Sequence, residues 1–200
     1  MSLDHFVQLV LSVFLIFGVY QFYFWCQRNP LAVKTRTLHL PVDNHIPYRP
    51  IWVWIYSFLY YPIILLITLT TVSTRHFLYV AISYVVLLMM QMAVFVVFPV
   101  ATPDSWRVCH EGTGLSERFL TLVQRFDAPS NSFPSMHTSV AVLTAFHLQS
   151  SMGIGIFAFP LLIALSCLYT KQHYVVDVPA GAIVGWGAFH LFLTMFRNPV

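Results

Sequence analysis

Two short runs hold the residues that could do chemistry in this chain. Phe133-Pro134-Ser135-Met136-His137 carries a hydroxyl and an imidazole two residues apart, and His173-Tyr174-Val175-Val176-Asp177 carries an imidazole and a carboxylate four apart. Pro134 is expected near a first helical turn, where its missing N–H costs nothing. A helix start offers unpaired N–H groups and the positive end of a dipole, so it stabilises anions, phosphate above all. Hydroxyl, imidazole and carboxylate at two helix starts therefore supply acid, base and nucleophile for phosphate chemistry, provided the fold brings the runs together.

The elements that must position them are membrane spans. Of the 200 residues, 58% are hydrophobic and only 8% charged, where a soluble domain carries about 25% charge. Spans of about 20 residues across a core of roughly 30 Å leave room for six helices and little else. They are predicted at about Phe6–Cys26, Ile51–Val72, Phe77–Phe98, Phe133 or His137 to Ser151, Gly153–Thr170 and Asp177–Phe196. The fold class is all-α, a polytopic six-helix membrane bundle forming one domain over residues 1–200. The first span has neither a basic leader nor a small-residue cleavage site and reads as retained. Pro62 and Pro160 should bend their spans, and Arg75 with His76 should form a tight turn. Gly181 and Gly185, at GxxxG spacing, suit a helix that packs closely on a neighbour. The polar stretches Gln27–Pro50 and Ala101–Ser132 read as loops along one membrane surface.

Parity brings the two runs together. Because each span reverses direction, spans two, four and six all start at one face, which gathers Ser135, His137, Lys171, His173 and Asp177, with Arg49 and Arg107 from the flanking loops. Taken singly, each residue has a plainer reading. An interfacial histidine is ordinarily just solvated, as expected of His5, His39, His45, His76 and His110. His147 and His190 fall inside spans and suit interhelical hydrogen bonds, and Asp177 two before Pro179 is an ordinary helix start. Two histidines and one carboxylate from separate segments make no zinc spacing, and Cys26, Cys109 and Cys167 make neither a zinc pattern nor a disulfide framework. No metal and no cofactor are expected. A net charge of +3 without basic runs excludes nucleic acid as a natural partner.

The two runs, with Pro179-Ala180-Gly181 after the second, resemble the second and third signature motifs of the type-2 phosphatidic acid phosphatase superfamily, and the six-span plan resembles it over most of the chain. The resemblance implies His173 as the nucleophile that takes the phosphoryl group, Asp177 as its orienting partner and His137 as the acid that protonates the leaving oxygen. The chemistry agrees: a neutral imidazole attacks without first losing a proton, and a carboxylate on its other nitrogen supports the growing positive charge. Ser135, Lys171 and Arg107 are the expected phosphate ligands. Two parts of the family pattern are missing. No lysine stands seven residues before an Arg-Pro after the third span, and the Ser-Arg pair ahead of the third motif is replaced by Ser166-Cys167. The reduced cation set and the HYxxD form resemble the branch of inositol phosphorylceramide and sphingomyelin synthases, which implies a phospholipid head-group phosphotransferase. A lipid phosphate phosphatase is the alternative within the family, and a non-catalytic lipid-phosphate binder the alternative outside it. The partners expected are a lipid-phosphate substrate and the bilayer. The resemblance implies a site on the outer or lumenal face, whereas the excess of Lys and Arg on the site's own face favours the cytosol.

Overall fold

The computed structural model describes residues 3–28, 34–107, 114–127 and 129–196. Eight α-helices are seen among them: α1 (Leu3–Arg28), α2 (Tyr60–Leu65), α3 (Ile67–Thr70), α4 (Thr74–Val97), α5 (Leu115–Phe126), α6 (Met136–Met152), α7 (Ala158–Tyr169) and α8 (Asp177–Met195). The one β contact among the described residues is an isolated parallel bridge between Arg36 and Val100. Four stretches are long and apolar enough to cross a membrane: Leu3–Gln27, Pro50–Thr70, Thr74–Val97 and Asp177–Met195. Helix α6 and the apolar helix Ile154–Tyr169 are shorter. Cys109 and His110 lie outside the described residues.

The second stretch is broken for a local reason. Pro62 has no N–H to donate to the carbonyl four residues back, so the turns before it open into π-helix at Ile55–Leu59, and the α-helix lapses again at Leu66 before α3. Ser73 caps α4 by accepting from the His76 N–H at 3.1 Å, so Arg75 and His76 form its first turn rather than a separate tight turn.

Helix α6 is the centre of the bundle, with Ala141, Leu143, Ala145 and Leu148 fully buried. Hydrophobic burial does not pull helices together in lipid, so packing and interhelical hydrogen bonds must. Gly181 and Gly185 let α8 lie against α6 backbone to backbone: a Cβ on either would stand 2.4 Å from the Ser135 carbonyl oxygen or 2.3 Å from that of Ser139. Against α4, α6 forms a polar ladder of three rungs. His147 Nε2 meets Ser83 Oγ at 2.8 Å, Thr144 Oγ1 meets Tyr84 OH at 2.7 Å, and Ser139 Oγ accepts from Gln91 Nε2 at 2.7 Å. Such bonds average about 0.6 kcal/mol each in membranes. His190 makes no rung; its ring lies 4.3 Å from that of Trp186.

The long polar stretch before α6, expected to be loop throughout, contains a helix. In α5, Leu115, Phe119, Leu122 and Phe126 recur at helical spacing, and Leu115, Leu122 and Phe126 are exposed. Phe119 stacks on Trp54 at 5.0 Å, joining α5 to the start of the second stretch. An apolar stripe beside exposed Arg118 and Arg125 is the pattern of a helix lying in the membrane interface.

Candidate active site

The loop between α7 and α8 delivers the first imidazole. Helix α7 ends in a Schellman turn, with the Lys171 N–H on the Leu168 carbonyl and the Gln172 N–H on the Cys167 carbonyl, both at 3.1 Å. The left-handed position, usually glycine, is Lys171 at φ 57, a conformation that costs a side-chain-bearing residue roughly 1–2 kcal/mol. Its ammonium offsets that cost by donating to the Asp43 carbonyl at 2.8 Å while lying 4.9 Å from the Trp106 ring centroid. Burial lowers its pKa and the Asp43 carboxylate opposes the fall. Lys171, expected as a phosphate ligand, therefore clamps the loop and does not line the cavity described below.

Asp43 is a second clamp. Only 1% exposed, it accepts from the Val175 N–H at 2.8 Å and the Leu40 N–H at 2.6 Å. A carboxylate from the first polar stretch thus holds the middle of the His173–Asp177 loop. Tyr174, fully buried, pins the same loop through its hydroxyl on the Ala101 carbonyl at 2.9 Å.

His173 is oriented by these restraints. Its Nδ1 lies 2.8 Å from the Ser132 carbonyl and 3.3 Å from Asp177 Oδ2, which also accepts from the Tyr174 N–H at 2.9 Å. Both neighbours of Nδ1 are acceptors, so Nδ1 carries a hydrogen, and the neutral ring has its lone pair on Nε2. Asp177, with no exposed surface, serves the ring and the loop backbone.

The second imidazole comes from the start of α6. Pro134 precedes the cap instead of opening the helix, and the Phe133–Pro134 peptide is cis. Ser135 is the N-cap: its hydroxyl accepts from the Thr138 N–H at 3.3 Å and the Thr138 hydroxyl at 3.1 Å. Fully buried and away from the cavity, it is occupied as a cap where the sequence suggested a phosphate ligand. The Ser135 N–H donates to the Asp177 carbonyl at 3.0 Å, tying the starts of α6 and α8 together. His137 stacks on Tyr56 at 4.1 Å, with its Nδ1 3.3 Å from the Tyr56 hydroxyl. The His137 and His173 ring centroids stand 6.3 Å apart at 65°.

Both rings line one cavity of about 490 Å³ bounded by α1, the second stretch, α4, α5 and α6. Arg107 lines it too, donating to the Asp127 and Gln124 carbonyls and, at 3.4 Å, to Gln172 Oε1. Three lining residues were not anticipated. Asn131 Nδ2 and Gln172 Nε2 are buried amide donors with no partner among the described residues, a deficit of about 1–3 kcal/mol each that an anion in the cavity would relieve. Asn131 sits at φ 61, tolerated by asparagine more than most residues. Asp127 accepts from Gln27 Nε2 at 2.8 Å and Tyr23 OH at 3.1 Å. Its carboxylate opens onto the cavity while protein closes round it, and burial raises its pKa against the pull of Gln27, Arg107 and Tyr23. Spacing gave no sign of these three, since they converge only through tertiary structure. The signal available was composition alone, amides and an acid flanking the two histidine runs.

Fold and site together define a class: a helical protein with span-length apolar helices in which two imidazoles, one of them backed by a carboxylate, face one cavity beside buried amide donors. The sequence comparison agrees: the PAP2 superfamily profile matches residues 31–191, and the chain belongs to that superfamily. It is also 33% identical over 63 residues to an uncharacterized protein, MJ0662, of Methanocaldococcus jannaschii, a match covering 30% of this chain and 26% of that one. The chain thus spans about a quarter of that relative's length. No solved structure matches the chain.

Proposed function

We propose that the protein is a membrane phosphotransferase that takes a phosphate-bearing head group from a phospholipid onto His173 and passes it to a lipid hydroxyl. Membership of the PAP2 superfamily supports lipid phosphatase-like chemistry in general. The observation that carries the finer reading is the pair of imidazoles at 6.3 Å on one cavity, with His173 Nδ1 held between two acceptors. In the first step Nε2 attacks phosphorus, the bond from phosphorus to the leaving oxygen breaks, and protonated His137 gives that oxygen its proton. Asp177 stabilises the charge on His173, and the nearby phosphate favours the imidazolium form of His137. In the second step neutral His137 takes the acceptor's proton as the acceptor oxygen displaces His173. Arg107, Asn131 and Gln172 hold the equatorial oxygens, where charge stabilisation matters most. In this reading α6 and Ile154–Tyr169 complete six crossings, since the starts of α6 and α8 share one end and the chain between them must descend and return.

Charge favours a diester over a monoester. The charged side chains lining the cavity, among the described residues, are Arg107 and Asp127. A monoester brings close to two negative charges, which one arginine beside an aspartate serves poorly, whereas a diester brings one. Hydrolysis is the second reading, in which water replaces the lipid hydroxyl. Purified protein incubated with labelled phospholipid, with and without ceramide or diacylglycerol, separates the two: a new phospholipid marks transfer and free phosphate or free head-group phosphate marks hydrolysis. His173→Ala should abolish both and remove any acid-labile label on the protein. Equal turnover by His173→Ala and the native protein would sink the mechanism, and saturable binding without turnover over a broad donor panel would leave a binder.

A further inference from the structure

The cavity does not end at the histidines. Along α1 it runs from Tyr23 down to Ser12 and along the second stretch from Tyr56 down to Ile67, ~16 Å on either wall at 1.5 Å per residue. Below the imidazoles its walls are mostly aliphatic and aromatic, and on α4 it reaches Phe77. Under this apolar shaft lies a polar floor. One turn below Ser12 and one turn below Ile67, Gln8 and Thr71 are both buried, and the Thr71 hydroxyl donates to Gln8 Oε1 at 2.9 Å. That contact ties the lower ends of the two walls together. A methylene chain gains nothing by entering it, because parting the pair would strip the buried Gln8 carbonyl oxygen of its donor and leave the Thr71 hydroxyl only the longer bond to the Thr68 carbonyl, at 3.3 Å.

We propose that this shaft is an acyl slot of fixed depth, which takes a hydrocarbon chain of the substrate end-on while its phosphate sits at the histidines, and which sets an upper limit to the chain length that is bound. The idea rests on the lipid-phosphate reading above and adds a substrate dimension to it. An extended chain advances ~1.2 Å per bond, a third of the rise of a stretched peptide residue. About 13 bonds therefore fill ~16 Å, and further methylenes meet the Gln8–Thr71 floor. Ala81, which faces the cavity one turn above Phe77, is where a larger side chain would raise the floor by ~6 Å, or about five bonds.

The test uses the full chain in detergent and a series of alkylphosphocholines of roughly 8 to 18 carbons, each a phosphodiester head on one chain, with affinity read by native mass spectrometry. For the native protein affinity should strengthen with each added pair of methylenes up to about 13 carbons and then level off. In Ala81→Phe the break should come about five carbons earlier, and Ser12→Phe, on the opposite wall, should also shorten it. Ile82→Phe, the same enlargement on the exposed side of α4, should leave the break in place and shows that the protein tolerates such a change. A series without a break, or a break at the same length in Ala81→Phe and Ser12→Phe as in the native protein, overturns the slot. The phosphohistidine reading stands or falls separately, on whether His173→Ala still turns over phospholipid.

Discussion

Replacing Gly181 by alanine tests whether the approach of α8 to α6 sets the distance between the two imidazoles. The new Cβ would lie 2.4 Å from the Ser135 carbonyl oxygen, and ordinary contact begins near 3.4 Å. The obstacle is helix backbone, not the end of a flexible side chain, so α8 must move away from α6 by about 1 Å. The start of α8 carries Asp177 and the loop with His173, and the start of α6 carries His137, so the shift falls on the gap between the rings. A misplacement of ~1 Å in a reacting constellation costs on the order of 100-fold in rate. Stability should change much less: overpacking costs about 1–3 kcal/mol, partly offset by about 1 kcal/mol from replacing a helical glycine. Gly187→Ala is the control, since its Cβ would meet only Met90 Cε at 3.8 Å, and it should keep full activity and gain slightly in stability. Steady-state turnover of labelled phospholipid beside thermal unfolding in the same detergent reads both quantities. A Gly181→Ala protein with native turnover would refute the view that close packing of these helices sets the site.

Asp43→Asn puts an amide N–H against the Leu40 N–H while still able to accept from Val175, so the loop carrying His173 loosens; turnover should fall by roughly tenfold and stability by about 1–3 kcal/mol. Kinetics with unfolding curves checks both, and native values for both would show that the clamp is dispensable. Asp127 gives a pH signature. Burial holds its folded-state pKa above the ordinary carboxyl value, so its contribution to stability is present below the unfolded pKa of about 4 and is lost as pH rises through the folded value. Melting temperatures of Asp127→Asn measured from about pH 4 upward should lack that loss, and identical slopes for variant and native protein would contradict it.

Much of the architecture was legible because hydrocarbon leaves few choices. Unbroken apolar runs gave the long helices, and the GxxxG spacing gave the close face of α8. Helix α5 escaped because its polar residues dilute the hydropathy that marks a span; its apolar stripe shows only when Leu115, Phe119, Leu122 and Phe126 are read at helical period. At the cavity, the HxxxD run and the PSxH run marked the two imidazoles and the carboxylate beside one of them, because His173 and Asp177 meet through their spacing within a single segment. The groups around them do not. Ser135 and Lys171 bear types that suit phosphate, yet the helix start and the left-handed turn each need a hydroxyl or an anchor, and those local demands engage them. Asp43, Asn131, Asp127 and Gln172 enter through contacts between distant segments, which no local pattern records.

The three rungs between α4 and α6 carry a mechanical consequence. Sliding α6 along its axis by one residue, ~1.5 Å, would stretch His147–Ser83, Thr144–Tyr84 and Ser139–Gln91 together, with no water in the hydrocarbon to replace what is lost. Helix α6 is thereby bolted against piston motion, and His137 at its upper end rides at a constant height in the bilayer, like a shelf fixed at three points on one upright.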